Sequence, residues 1–293
     1  MAVEPELFRA LGALSEAPDP AHARLAAALG LPGPPEAADH TGLFVLQLVP
    51  YASAYLSPDG MLGGEPADRV AGFWRALHLT PPAEPDHLAA LLGLYAALTE
   101  RGRVQADPAR AALWRRAGQA LLWEHLLTWL PVYTSAAARV AGPVHAAWAR
   151  LLGDALLAEA RAVPQPPTTA LHLRERPAAP DPRDGPEPFA RALLTPARSG
   201  LLLTRADLTQ GARAAGLTPR LGERAFVLRS MLGQDPAATL GWLTDRAGEW
   251  AERHRATEPV LGDVARAWRT RAEATRAALS RARPTAMEVT RVS

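Results

Sequence analysis

The chain has 293 residues, with 32 basic and 30 acidic side chains that leave a formal net charge of +2. Its length exceeds a typical single domain and predicts two units, each large enough to bury a core. The sequence has no cysteine, which excludes disulfides, thiolate metal sites and cysteine nucleophiles. A net charge this close to zero is not by itself the signature of a nucleic-acid-binding protein.

Residues 1–163 read as helices throughout. Apolar side chains recur at helical spacing from Val70 to Leu77 after Pro66, and again from Leu88 to Leu98. Two longer segments continue the pattern, Ala109 to Leu130, which Pro131 interrupts, and Val140 to Ala162. No stretch alternates with period two, so the first domain is predicted to be an all-α bundle.

Residues 164–188 contain eight prolines, too many for a helix or a central strand. This segment is predicted to be a stiff linker between a first domain, residues 1–163, and a second, residues 189–293. Residues 1–163 carry 12 arginines against 16 acidic side chains, whereas residues 164–293 carry 20 against 14. The two halves therefore have opposite net charges and are expected to face each other or different partners.

The carboxyl-terminal half is predicted to be a second, smaller all-α domain. Thr204 and Asp207 have the spacing of a capping box, and the helix that follows is expected to end near Gly216. A short helix is predicted over residues 222–232. Asp235-Pro236 predicts the start of a helix to about residue 254, and Pro259 the start of a last helix to about residue 281.

The most informative stretch is Glu84-Pro85-Asp86-His87, directly before the apolar run that starts at Leu88. Asp86 fits a helix N-cap, because its carboxylate can accept backbone N–H groups that lack helical partners, while proline fixes the approach. Glu84 and His87 are then expected beside the mouth of the helix. The simplest interpretation is a well-capped helix and nothing more.

Two other blocks accompany this loop: Pro50-Tyr51-Ala52-Ser53-Ala54-Tyr55 upstream and Leu122-Trp123-Glu124-His125-Leu126-Leu127-Thr128-Trp129-Leu130-Pro131 downstream. In order and separation, the three blocks resemble the TorD/DmsD family of cytoplasmic chaperones for molybdenum-containing redox enzymes, over residues 5–160. The family pattern has Pro-Tyr-Glu-Ser-x-Tyr, Glu-Pro-x-Asp-His and His-Leu-x-x-Trp-x-Pro. This chain has Ala52 in place of the glutamate, and its loop is one residue shorter.

The resemblance implies a TorD-like helical bundle that is not an enzyme and needs no cofactor of its own. It implies a chaperone that holds a molybdenum-cofactor oxidoreductase subunit and its twin-arginine signal peptide until the cofactor is inserted. Family members also exchange helices between protomers, so a homodimer is possible. The residues it assigns to client or peptide binding are Tyr51, Tyr55, Glu84, Pro85, Asp86, His87, Trp123, Glu124, His125 and Trp129.

The residues themselves also favour binding over catalysis. A receptor for paired arginines followed by apolar residues needs carboxylates beside an apolar groove, and Glu84, Asp86 and Glu124 lie near Trp, Tyr and Leu stripes. The alternative is that these carboxylates form an ordinary solvated surface. No nucleophile elbow, phosphate loop or dinucleotide motif occurs. His87 and His125 lack a second ligand at helical spacing, so no metal site is predicted, and His125 alone would be read as a core histidine.

A competing hypothesis places a nucleic-acid-binding or dimerisation module in the Arg-rich carboxyl-terminal half. Residues 204–232 could form two short helices around the turn Gly216-Leu217-Thr218-Pro219, as in a helix-turn-helix. Acidic residues interspersed with the arginines argue against it. The acidic segment Met1–Glu6 lacks the order of a secretory signal, and no apolar run reaches the roughly 18 residues of a membrane span, so a cytoplasmic location is expected.

Overall fold

The computed structural model describes residues 3–175 and 177–292, with side chains up to residue 282. The chain divides into two compact units. Unit 1 comprises the residues up to Ser57 together with Met61–Arg174, and unit 2 comprises Pro58–Gly60 together with the residues from Glu175 onwards. The described residues form helices and one isolated β-bridge, and no strand, so the all-α prediction is confirmed.

Unit 1 is a helical bundle. Its elements in chain order are α1 (Pro5–Ala13), α2 (Pro20–Ala28), α3 (Ala37–His40), the π-helical turn π1 (Thr41–Val45), α4 (Ser53–Leu56), α5 (Gly64–Ala76), α6 (Leu88–Val104), α7 (Pro108–Ala120), the π-helical turn π2 (Leu121–Leu126), α8 (Leu130–Val140), α9 (Pro143–Ala162) and α10 (Leu171–Arg174).

The core of unit 1 forms where α1 packs on α6 and α8 on α9. Phe8 and Leu11 of α1 are fully buried, and each contributes about 1.5–3 kcal/mol by leaving water. A Cβ on Gly12 would lie 3.3 Å from the backbone of Ala89, so the missing side chain lets α1 approach α6 closely. The indole of Trp148 in α9 donates to the carbonyl of Leu11 at 2.9 Å, which ties α9 to the same pair.

Unit 2 is built on a helical hairpin. Its elements are a 3-10 turn (Pro182–Asp184), α11 (Pro186–Leu193), α12 (Pro196–Ser199), α13 (Arg205–Ala214), α14 (Arg224–Gln234), α15 (Pro236–Leu261) and α16 (Asp263–Val292). The capping box of Thr204 and Asp207 and the cap by Asp235 are present as the sequence predicts. The long helices α15 and α16 pack along each other, with Trp250 and Trp268 buried between them and His254 beside both rings.

Several predicted helix boundaries were wrong, and proline accounts for two of them. Pro131 lies in the first turn of α8, where a missing N–H costs nothing, so it begins a helix instead of interrupting one. Pro259 lies inside the last turn of α15, which ends at Leu261 before Gly262 adopts a positive φ of 52°. The last helix therefore starts at Asp263 and extends beyond residue 281.

The proline-rich segment 164–188 contains more secondary structure than a bare linker. It includes α10, the 3-10 turn and the first residues of α11, and the division between the two units falls after Arg174. Ala170, Leu173 and Pro180 are buried within it. The predicted boundaries at 163 and 189 stay a prediction. Across residues 3–175 and 177–292, no helix is both long enough and apolar enough to span a membrane.

Candidate peptide-binding cleft

The first two sequence blocks are joined through their backbones. The amide of Ala52 donates to the carbonyl of Asp86 at 3.1 Å, and the amide of Leu88 donates to the carbonyl of Pro50 at 2.8 Å. These bonds flank the antiparallel bridge between Tyr51 and His87. Two loops that are more than thirty residues apart in the chain thus form one wall, and the amino-terminal ends of α4 and α6 meet there.

The predicted role of Asp86 as the cap of α6 was wrong. His87 occupies the N-cap position, where its Nδ1 accepts from the amide of Ala89 at 3.2 Å. The carboxylate of Asp86 instead accepts from the amide of Ser53, the first residue of α4, at 3.0 Å. Asp86 is only 4% exposed, so its charge is used to hold the two loops together and does not face solvent.

Tyr51, Glu84 and His87 form the exposed edge of this wall. The Tyr51 ring packs edge-on against the His87 ring with centroids 5.0 Å apart. Burial and a hydrogen bond to the Glu84 carboxylate raise the pKa of Tyr51 to about 12, so the phenol stays protonated and donates. Burial lowers the pKa of His87 against the attraction of Glu84, Glu16 and Asp86, and the imidazole is neutral at pH 7.

These three side chains line a cleft of about 890 Å³ in unit 1. Its apolar lining includes Phe44 and Val45 of π1, of which Phe44 is buried and Val45 is 59% exposed. Its other polar side chains include Glu16 and His40, and Arg9, which is paired with Glu6 and Glu100. The cleft therefore offers two carboxylates, those of Glu16 and Glu84, beside an apolar wall.

The third block lies in the core. The ring of Trp129 stacks on Tyr55 with centroids 5.3 Å apart, and both rings are buried, as is Trp123. His125 is also buried, and burial lowers its pKa to about 3, with Arg69 and His172 acting in the same direction. The interpretation of His125 as a core histidine agrees with this placement. Glu124 is the exposed side chain of the block.

The structure thus brings only part of the predicted site together. Tyr51, Glu84 and His87 line the cleft, and Pro85 lies in the same loop without lining it. The remaining predicted residues are buried or lie outside the cleft: Tyr55, Asp86, Trp123, Glu124, His125 and Trp129. The lining residues that sequence reasoning missed include Arg9, Glu16, His40 and Phe44, which come from separate helices and loops with no shared spacing. The function of all these residues in binding stays a prediction.

Comparison with known proteins finds sequence similarity in the region that carries the motif blocks. Residues 13–135 match the family model "Nitrate reductase delta subunit". The chain is also 34% identical to the chaperone protein TorD of Vibrio vulnificus (strain YJ016), over 35% of this chain and 51% of the relative. Over this region the chain is similar to the TorD-like chaperone family. The region matched by the family model contains all three motif blocks, and these blocks lie in unit 1.

The family consists of chaperones and not of enzymes, in agreement with the sequence analysis. The chain spans about half of the length of the curated relative that it matches. No solved structure matches it. The matched residues stop before Glu175, where the main part of unit 2 begins, so these comparisons leave the role of that unit open.

The structure of unit 2 gives little support to the competing hypothesis that this half binds nucleic acid. Helices α13 and α14 are separated by residues 215–223, a longer connection than the three or four residues of a helix-turn-helix. Within the described side chains, Arg255, Arg266 and Arg269 form ion pairs with Glu258 or Glu273 instead of presenting an unpaired basic face. Neither dimerisation nor nucleic-acid binding is favoured by a specific contact.

Proposed function

We propose that the chain is a cytoplasmic chaperone that assists the maturation of a molybdenum-cofactor oxidoreductase, binding the catalytic subunit before export or assembly. The proposal rests on the family, and on the joining of the first two motif blocks into one wall of the cleft. The cleft provides carboxylates and apolar surface without a catalytic constellation. An assembly factor needs such a surface because it must hold a client without altering it.

We propose further that this cleft takes the twin-arginine signal peptide of the client. Arginine guanidinium groups bind carboxylates through paired, charge-assisted hydrogen bonds, which are stronger than neutral ones. Glu16 and Glu84 can accept them, since the positive charge of Arg9 is already compensated by Glu6 and Glu100. The apolar residues that follow the paired arginines would pack on Phe44 and Val45 of π1.

Isothermal calorimetry of the full chain with a twin-arginine peptide tests this proposal. Glu16→Gln and Glu84→Gln should each weaken binding about tenfold, because each removes a charge-assisted hydrogen bond that is partly screened by water. Replacing both peptide arginines by lysine keeps the charge but loses the planar fork, so binding should also weaken.

Glu36→Gln is the matched control, because Glu36 is exposed but lies outside the cleft. Wild-type affinity in both cleft variants would place the peptide elsewhere on the chain. If the full chain binds neither the peptide nor a molybdoenzyme catalytic subunit, the chaperone proposal fails.

A further inference from the structure

The segment of residues 164–174, named the strap here, lies across the third motif block. The indole of Trp123 donates to the carbonyl of Val163 at 3.1 Å, and the side-chain amide of Gln119 donates to the carbonyl of Pro164 at 2.7 Å. At the far end of the strap, His172 and Leu173 of α10 are buried. The strap therefore starts next to Val163, which Trp123 contacts, and ends at His172, which contacts Glu124; the family resemblance assigns both Trp123 and Glu124 to client binding.

The contact of α10 with the block depends on the π-helical turn π2. Just after π2, the backbone amide of Trp129 donates to the carbonyl of Leu126 at 3.4 Å and not to the carbonyl of Glu124, five residues earlier. The carbonyl of Glu124 accepts from side chains instead. Its donors are the hydroxyl of Thr128 at 3.3 Å and Nε2 of His172 at 2.9 Å. Since a carbonyl oxygen can only accept, His172 must carry its proton on Nε2.

The composition of the strap limits its backbone hydrogen bonding. Its prolines Pro164, Pro166 and Pro167 have no N–H to donate, and α10 is only one turn long. Hydrogen bonds worth about 1 kcal/mol net each, together with the burial of Leu173, must offset the entropy of ordering the segment. Segments of this kind detach at a cost well below that of global unfolding.

We propose that the strap is an internal competitor for the client, docked on the third motif block and displaced when the client binds there. This proposal rests on the proposed chaperone function and adds a second contact surface to it. Displacement frees the carbonyl of Glu124 and the apolar surface that buries Leu173. The matching ligand is a peptide segment that carries a large aliphatic side chain next to a hydrogen-bond donor, as Leu173 and His172 do in the strap.

The test combines binding with hydrogen exchange, using the full chain and the twin-arginine peptide. In the double variant His172→Ala/Leu173→Ala the strap should be released, so the peptide should bind about tenfold more tightly or better, because a larger fraction of molecules is competent to bind. Amide exchange over residues 119–128 and tryptic cleavage after Arg174 should both become faster. Leu171→Ala, which changes the same residue type on the more exposed side of α10, should behave as wild type.

Peptide added to the wild-type chain should accelerate amide exchange over residues 168–174. If the peptide binds the wild type while the double variant, folded by circular dichroism, binds no more tightly, the competitor proposal is wrong and the proposed function stands. Protection of residues 168–174 by the peptide would also overturn it, since the strap would then form part of the binding site. If neither protein binds the peptide, both proposals fail.

Discussion

At the scale of single residues, Asp86 shows how a side chain can serve a site without touching a ligand. Its carboxylate is buried and accepts from the amide of Ser53, while its carbonyl accepts from the amide of Ala52. Both loops that line the cleft are therefore positioned by one residue. The positions of Tyr51 and Glu84 depend on these hydrogen bonds of Asp86, because both residues belong to the loops that the bonds join.

Asp86→Ala should lower the free energy of unfolding by about 1–3 kcal/mol, because a buried amide loses its acceptor. Asp86→Asn keeps an oxygen at the same place and should recover much of the loss. Urea denaturation of the full chain measures both. Equal stability of the alanine variant and the wild type would mean that Asp86 does not hold the two loops together.

Tyr55, Trp129 and Tyr133 illustrate why motif residues need not be ligand residues. Their rings pack against one another, and the hydroxyls of Tyr55 and Tyr133 donate to the carbonyls of Val49 and Leu48. These bonds fix the segment that leads from π1 to the first block. These aromatic residues thus support the wall from the core, and its polar edge is where we propose that the peptide binds.

At the scale of elements, α12 and α16 of unit 2 pack closely where they cross at Gly200. Gly200 has a φ of 72°, and a Cβ there would lie 2.4 Å from the amide nitrogen of Ala272. Next to this crossing, Nε2 of His254 bonds the carbonyl of Gly200 at 3.0 Å, and the hydroxyl of Thr275 donates to the carbonyl of Ser199 at 2.8 Å. Any side chain at position 200 must push the helix away.

Gly200→Ala should therefore destabilise unit 2 by more than about 2 kcal/mol, since backbone strain and a steric clash act together. Gly233→Ala is the matched control, because position 233 lies in α14 with open space around the added Cβ, and it should stabilise by about 0.5–1 kcal/mol. Thermal unfolding compares the two. A tolerated alanine at position 200 would contradict the described crossing.

At the scale of the whole molecule, four histidines make stability depend on pH. Burial lowers the pKa of His87, His125 and His145 in unit 1 and of His254 in unit 2, the last to about 4. Histidine in the unfolded chain has a pKa of about 6.5, so below this pH the unfolded chain binds protons that the buried histidines of the folded chain do not bind. The folded state is thus favoured above this pH and loses stability as the pH falls.

Urea denaturation between pH 7 and pH 4 should show this loss, with each such histidine contributing up to about 1.4 kcal/mol per pH unit below 6.5. His254→Gln should flatten the pH dependence of unit 2, because glutamine can still donate to the carbonyl of Gly200 but does not titrate. A pH dependence that is the same in His254→Gln and in the wild type would show that His254 does not contribute.

The sequence by itself determined the helical class, the capping box at Thr204, the cap at Asp235 and the resemblance to the TorD-like family, because these depend on local spacing and on short motifs. Local patterns could not assign Asp86, whose partner Ser53 lies 33 residues away and is reached only after folding. The same holds for the cleft, whose carboxylates Glu16 and Glu84 come from distant loops. Which motif residues face solvent, and which support them from the core, is decided by tertiary packing, since burial is a property of the assembled helices and not of any one segment.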